Sequence, residues 1–127
     1  MINKILVIDD DEAIRKSFSL TLMDNGFEVD LAESGTKGIN MIESNHYILI
    51  LLDLKMPGLD GIDTLREIRK INSKIPVFIV TAFHDEFLIK LKKLDHDNIK
   101  YELFKKTIGS KRLLSLVKSV IDGPQII

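Results

Sequence analysis

The sequence predicts a single α/β domain built on a five-stranded parallel sheet. Three observations carry that prediction. Short apolar runs rich in Ile, Val and Leu, such as Ile5-Leu6-Val7-Ile8 and Ile48-Leu49-Ile50-Leu51-Leu52, suit strands buried on both faces of a parallel sheet. These runs alternate with stretches of helical periodicity along the whole chain, which gives right-handed crossovers. Two of the runs end abruptly in aspartate, at Asp9-Asp10 and at Asp53. In such a sheet the carboxyl ends of the strands line one edge, and ligands bind there.

The elements follow in order. A first strand, Lys4 to Ile8, leads to a helix capped by Asp10 or Asp11. Ile14, Phe18 and Leu22 form its apolar stripe, Arg15 and Lys16 face out, and Asn25-Gly26 stops it. Phe27 to Ala32 is a shorter, more polar strand suited to a sheet edge. Ser34 starts a second helix with Ile39, Met41 and Ile42, ending near Asn45. The third strand ends at Asp53, and Lys55-Met56-Pro57-Gly58 has strong turn chemistry. Asp60 caps a third helix with Ile62, Leu65 and Ile68 on one face. Ile75-Pro76 leads into the strand Val77 to Val80, which ends at Thr81. Glu86 to Leu94 reads as helix, Asp95 to Asn98 as a polar break, and Ile99 to Phe104 as a fifth strand. Gly109-Ser110 opens a last helix carrying Leu113, Leu114, Leu116, Val117, Val120 and Ile121, stopped by Asp122-Gly123-Pro124. The reading assigns residues 1–122 to one domain and 123–127 to a tail or the start of a linker.

Composition narrows the function classes. A chain of 127 residues fits one domain with an adequate core. It has no cysteine, which excludes disulfides, thiolate catalysis and zinc–thiolate sites. The start, Met1-Ile2-Asn3-Lys4, is not that of a signal peptide, and no apolar run approaches a membrane span. The expectation is a cytoplasmic setting. The net charge of −1 gives no electrostatic case for direct nucleic-acid binding. From Asp85 onward there are 9 basic and 6 acidic residues, an asymmetry read as solvated helix faces.

The chemistry lies in the carboxylates. Asp9, Asp10 and Asp53 converge on one edge, where like charges raise one another's pKa unless a cation intervenes. An oxygen-rich cluster of this kind suits Mg²⁺, a hard ion that keeps several waters and takes one or two carboxylates; Mn²⁺ is the natural substitute. Plain readings stand beside this one. Asp11 is read only as a helix cap, Thr81 alone as a strand residue, and the Lys55 side chain as solvent-facing. His46, His84 and His96 are read as surface residues, and the methionines as core filler.

Taken together, Ile5 to Asp11, Leu51 to Gly61 and Val80-Thr81-Ala82 resemble the receiver domain of bacterial two-component response regulators, over about residues 3–122. The resemblance implies a flavodoxin-like sheet of order 2-1-3-4-5. It implies Asp53 as phosphoacceptor, Asp10 as a direct Mg²⁺ ligand, Asp9 acting on the metal through water, and the backbone carbonyl of Lys55 as a further ligand. It implies Thr81 binding a phosphoryl oxygen. The implied partners are a sensor histidine kinase or phosphotransfer protein and a downstream effector domain or protein, with a dimer possible. The implied activity is not that of an enzyme with an external substrate. Such a domain catalyses only its own phosphotransfer and autodephosphorylation.

Two departures stand out. The family's lysine normally precedes a proline; here Lys105 and Lys106 both compete, and alignment of the last helix favours Lys106 with Thr107 in the proline's place. A cis bond before a non-proline residue costs about 2.5–4 kcal/mol, so Thr107 implies a trans or strained bond. The aromatic expected three residues before the lysine is Leu103, with Tyr101 and Phe104 out of register. A haloacid-dehalogenase-type phosphatase is disfavoured, because Asp9-Asp10-Asp11-Glu12-Ala13 lacks that family's Thr or Val. A flavin or nucleotide domain of the same fold would want a glycine- or hydroxyl-rich loop where acids stand. The live alternative is a degenerate receiver that signals by protein contacts without phosphorylation.

Overall fold

The computed structural model describes residues 3–82 and 85–122. Five strands, β1 (Lys4–Ile8), β2 (Glu28–Ala32), β3 (Leu49–Leu52), β4 (Val77–Thr81) and β5 (Glu102–Lys105), form one parallel sheet of order β2-β1-β3-β4-β5. That is the order the resemblance implied. Five helices connect them: α1 (Glu12–Met23), α2 (Gly35–Ser44), α3 (Gly61–Ile71), α4 (Leu88–His96) and α5 (Ser110–Asp122). Among the described residues no helix is long and apolar enough to cross a membrane.

The alternation of side chains along the central strands builds two cores, one on each face. Ile5, Val7, Leu49, Leu51, Phe78 and Val80 pack with Phe18 and Leu22 of α1 and Leu113 and Val117 of α5. Leu6, Ile8, Ile50, Leu52 and Ile79 pack with Ile42 of α2, Ile62, Leu65 and Ile68 of α3, and Leu91 and Leu94 of α4. The continuous apolar runs are therefore buried on both sides, as sequence periodicity required.

The helix boundaries have local causes. The Asp11 side chain accepts from the Ala13 and Ile14 N–H groups, so Asp11 rather than Asp10 is the cap of α1. At the other end the Phe27 N–H reaches the Leu22 carbonyl and the Gly26 N–H reaches the Met23 carbonyl. This is a Schellman closure with Gly26 at φ +89°. Ser34 caps α2 through the Lys37 N–H, and Asp60 caps α3 through the Asp63 N–H.

Several expectations are corrected. The fifth strand begins at Glu102 rather than Ile99 and runs through Lys105. Ile99 and Tyr101 are apolar enough to read as strand, but they pack against the core from the connection before it. The fourth helix is a 3-10 turn at Asp85–Phe87 followed by α4, which continues to His96 into the expected polar break. Arg15 does not face out: it is half-buried, and its guanidinium donates to the Asp9 carbonyl. Met23 is 57% exposed and fills no core, whereas Met56 is buried and Met41 packs against the core. His46 and His96 are exposed as expected; His84, Gly123-Pro124 and the tail lie outside the described residues.

Candidate functional site

Strand register creates the site. Ile8 stands opposite Leu52 and Leu52 opposite Ile79, so β1 and β3 end level, and β4 runs two residues further to Thr81. Asp9 and Asp53 emerge side by side, and the Asp53 N–H donates to the Ile8 carbonyl at 3.0 Å. Thr81 pairs with Lys105 across β4 and β5, so the chain delivers Lys106 to the same edge one residue later. Ligand oxygens of Asp9, Asp10 and Asp53 all lie within 4.8 Å of one another. Asp9 and Asp53 are 2% and 3% exposed, while Asp10 is open to solvent.

Of the two lysines, Lys106 is the one the fold brings to the carboxylates. Its Nζ stands 3.0 Å from Asp9 Oδ2 and 3.4 Å from Asp53 Oδ2, with its side chain mostly buried. Lys105 is exposed at the end of β5. Lys106 opens a 3-10 turn at Lys106–Ile108, and Gly109 follows at φ +82°. Among the described residues no peptide bond is cis, so the bond before Thr107 is trans. Leu103, in the expected aromatic position, is 37% exposed.

Local hydrogen bonds fix the carboxylates. The Leu54 N–H donates to Asp53 Oδ1 at 2.9 Å, and the Asp11 N–H donates to Asp9 Oδ1 at 3.0 Å. The Thr81 side chain is hydrogen-bonded to Asp53. Gly61 matters to this placement. Its N–H donates to the Leu54 carbonyl at 2.8 Å, and a Cβ there would collide with the backbone of Asp53 and Leu54. Glycine lets the start of α3 press against the chain that carries Asp53.

The electrostatics follow from burial. Burial first, then the Asp9 carboxylate, push the Asp53 carboxyl up to about 6, although Lys106 and Thr81 act against this. Asp9 is also raised, by burial and to a lesser extent by Asp10, against the Asp11 N–H and Lys106. Burial pulls Lys106 down, but its hydrogen bond to Asp9 and the field of both carboxylates outweigh it and leave the ammonium raised.

An open cleft of about 500 Å³ lies over the cluster, lined by Asp10, Asp11, Asp53, Lys55, Met56, Pro57 and Lys106. The Lys55 side chain pairs with Glu86 at 3.2 Å. The structure thus brings together Asp9, Asp10, Asp53, Lys55, Thr81 and Lys106. Sequence reasoning missed Arg15, whose one available signal was a basic residue on the first turns of a helix that follows an acidic strand end.

The model of the response regulator receiver domain matches residues 5–118. The response regulator MprA of Mycobacterium sp. (strain KMS) is 38% identical over 79 residues, which is 62% of this chain and 34% of that protein. The aligned stretch therefore spans about a third of the length of the curated relative. A CheY-like receiver domain protein from Methanospirillum hungatei superposes with a TM-score of 0.86 at 26% identity, covering 96% of this chain and 95% of that one. The response regulator TrrA of Thermotoga maritima, solved in complex with Mg²⁺ and BeF, superposes with a TM-score of 0.79 at 28% identity, covering 94% and 99%. Matched along nearly its whole length by sequence and by fold, the chain belongs to the receiver domains of response regulators, whose general role is phosphorylation-dependent signalling.

Proposed function

We propose that this chain accepts a phosphoryl group on Asp53 from the phosphohistidine of a sensor histidine kinase or phosphotransfer protein. The observation that supports this best is the convergence of Asp53 with Asp9, Asp10, Thr81 and Lys106 at one strand edge. An Asp53 oxygen attacks phosphorus, the phosphorus–nitrogen bond breaks, and imidazole leaves, giving an acyl phosphate. Lys106 supplies a positive charge beside the attacking oxygen, and the Thr81 hydroxyl takes a phosphoryl oxygen.

The donor set fits a hard divalent cation: two buried carboxylates and one exposed carboxylate, their oxygens clustered at the foot of an open cleft. Asp9, Asp10, Asp53 and the backbone carbonyl of Lys55 would hold Mg²⁺, with Mn²⁺ as substitute. Bound there, the ion offsets the repulsion between carboxylate and phosphoryl group. Residues 1–122 form the receiver domain, 123–127 form a tail or the start of a linker, and the domain acts in the cytoplasm on a downstream effector domain or protein. It turns over no external substrate beyond its own phosphotransfer and autodephosphorylation.

A degenerate receiver signalling by contacts alone is the second reading, favoured by Leu103 and Thr107 at the two departed positions. Phosphate-affinity electrophoresis after incubation with acetyl phosphate and Mg²⁺ separates the two. One phosphoryl group on the parent and none on Asp53→Asn is expected. An unlabelled parent selects the degenerate reading, and a labelled Asp53→Asn protein removes Asp53 as acceptor.

A further inference from the structure

We propose that Arg15 is a positioning residue for the carboxylate cluster, aiming Asp10 by clamping the peptide between Asp9 and Asp10. The inference rests on the reading of that cluster as a cation site. Arg15 Nη1 donates to the Asp9 carbonyl at 2.7 Å from the second turn of α1. Every other polar atom of Asp9 is also held. Its N–H donates to the Ala32 carbonyl at 3.1 Å, Oδ1 accepts from Asp11, and Oδ2 meets Lys106. Asp10 differs. It is exposed, and among the described residues no hydrogen bond fixes its carboxylate. Its direction depends on the plane of the preceding peptide, and Arg15 grips the carbonyl of that plane.

The charge of Arg15 makes the idea testable by sign. A guanidinium near a cation site repels the cation. If Arg15 acted through charge alone, removing it would tighten Mg²⁺ binding. If it acts by positioning, removing it weakens binding despite the relief of repulsion. Groups that orient metal ligands typically contribute about 10–100-fold in metal affinity.

The experiment titrates Mg²⁺ against the parent, Arg15→Met and Arg15→Lys, following the amide shifts of Asp10 and Asp53, with a thermal melt of each metal-free protein. Expected is at least an approximately tenfold loss of Mg²⁺ affinity in Arg15→Met, with Arg15→Lys in between because it keeps a donor. Equal or tighter binding by a folded Arg15→Met overturns the inference and leaves the cluster reading intact. Should Arg15→Met not fold, Arg15→Lys decides: a several-fold loss supports the clamp, and parent-like affinity overturns it. A parent that shows no response at millimolar Mg²⁺ overturns the cluster reading and this inference with it.

Discussion

Replacing Asp53 with Asn should make the metal-free protein more stable at neutral pH, although it removes the proposed phosphoacceptor. Burial, then Asp9, raise the Asp53 carboxyl from its usual 3.8 to about 6. An acid raised in the fold binds its proton more tightly there than in the unfolded chain. Its favourable contribution is therefore complete below about pH 4, falls as pH rises towards 6, and is gone above 6. At about 1.4 kcal/mol per pH unit, the ionised side chain costs the fold about 3 kcal/mol at pH 7. Water at the cleft mouth screens part of this, so the expected gain for Asp53→Asn is about 1–3 kcal/mol, or about 3–10 °C in melting temperature. The amide keeps the shape and an acceptor for Thr81, and Lys106 retains Asp9. The assay is a set of urea and thermal melts of both proteins from pH 4 to pH 8 without divalent ions. The gap should open between pH 4 and 6 and then stay constant; added Mg²⁺ should narrow it at pH 7. An Asp53→Asn protein no more stable than the parent at pH 7, or a gap as large at pH 4 as at pH 7, would show that the ionised Asp53 side chain does not strain the fold.

Three further outcomes are expected. Gly61→Ala should cost about 2 kcal/mol or more in urea unfolding, because the new methyl meets the backbone of Asp53 and Leu54 rather than a side chain that can yield; a loss under ~0.5 kcal/mol would show that α3 can back away freely. Lys106→Met should abolish the amide-shift response to beryllofluoride and raise the Asp53 pKa further, whereas Lys105→Met, altering an exposed side chain, should leave both unchanged; the reverse pattern would reassign the lysine. Beryllofluoride on the parent should move amides near Asp53, Thr81 and Lys106 more than those from Glu86 to Phe104, since exposed Leu103 supplies no aromatic relay. Large cooperative shifts across Glu86 to Phe104 would mean that another route carries the signal.

The sequence was most legible where burial dictates composition. Strands flanked on both sides must be apolar throughout, so β1, β3 and β4, with the acids that follow β1 and β3, could be placed to within a residue. Legibility failed where one side of an element meets solvent. Only Phe104 of β5 is even half-buried, so its sequence carried little pattern, and Ile99 and Tyr101 drew the expected boundary towards themselves. Arg15 was misplaced for a different reason. Helical spacing assigns a face, but it cannot foresee that a carbonyl at the end of the preceding strand will draw a long polar side chain inward. Lys106 could be preferred over Lys105 by alignment, yet only the pairing of Thr81 with Lys105 explains why the next residue reaches the carboxylates.

Arg69 of α3 works at the opposite rim. Its guanidinium donates to the Ile75 carbonyl at 2.7 Å and, through two nitrogens, to the Lys100 carbonyl at 3.1 and 2.6 Å. Those carbonyls lie two residues before β4 and β5 begin. Arg66 adds an ion pair to Asp97 at 2.9 Å. Both strands are thus pinned to α3 where they enter the sheet, while their far ends, Thr81 and Lys105, adjoin the charged edge. A strand fixed at its entrance moves like a lever, and any displacement grows with distance from the pivot. The points with the most travel are then Thr81 and Lys105, at the exit ends of the two strands. Cutting the pin with Arg69→Ala would loosen the entrance ends of both strands, the ends farther from the carboxylates.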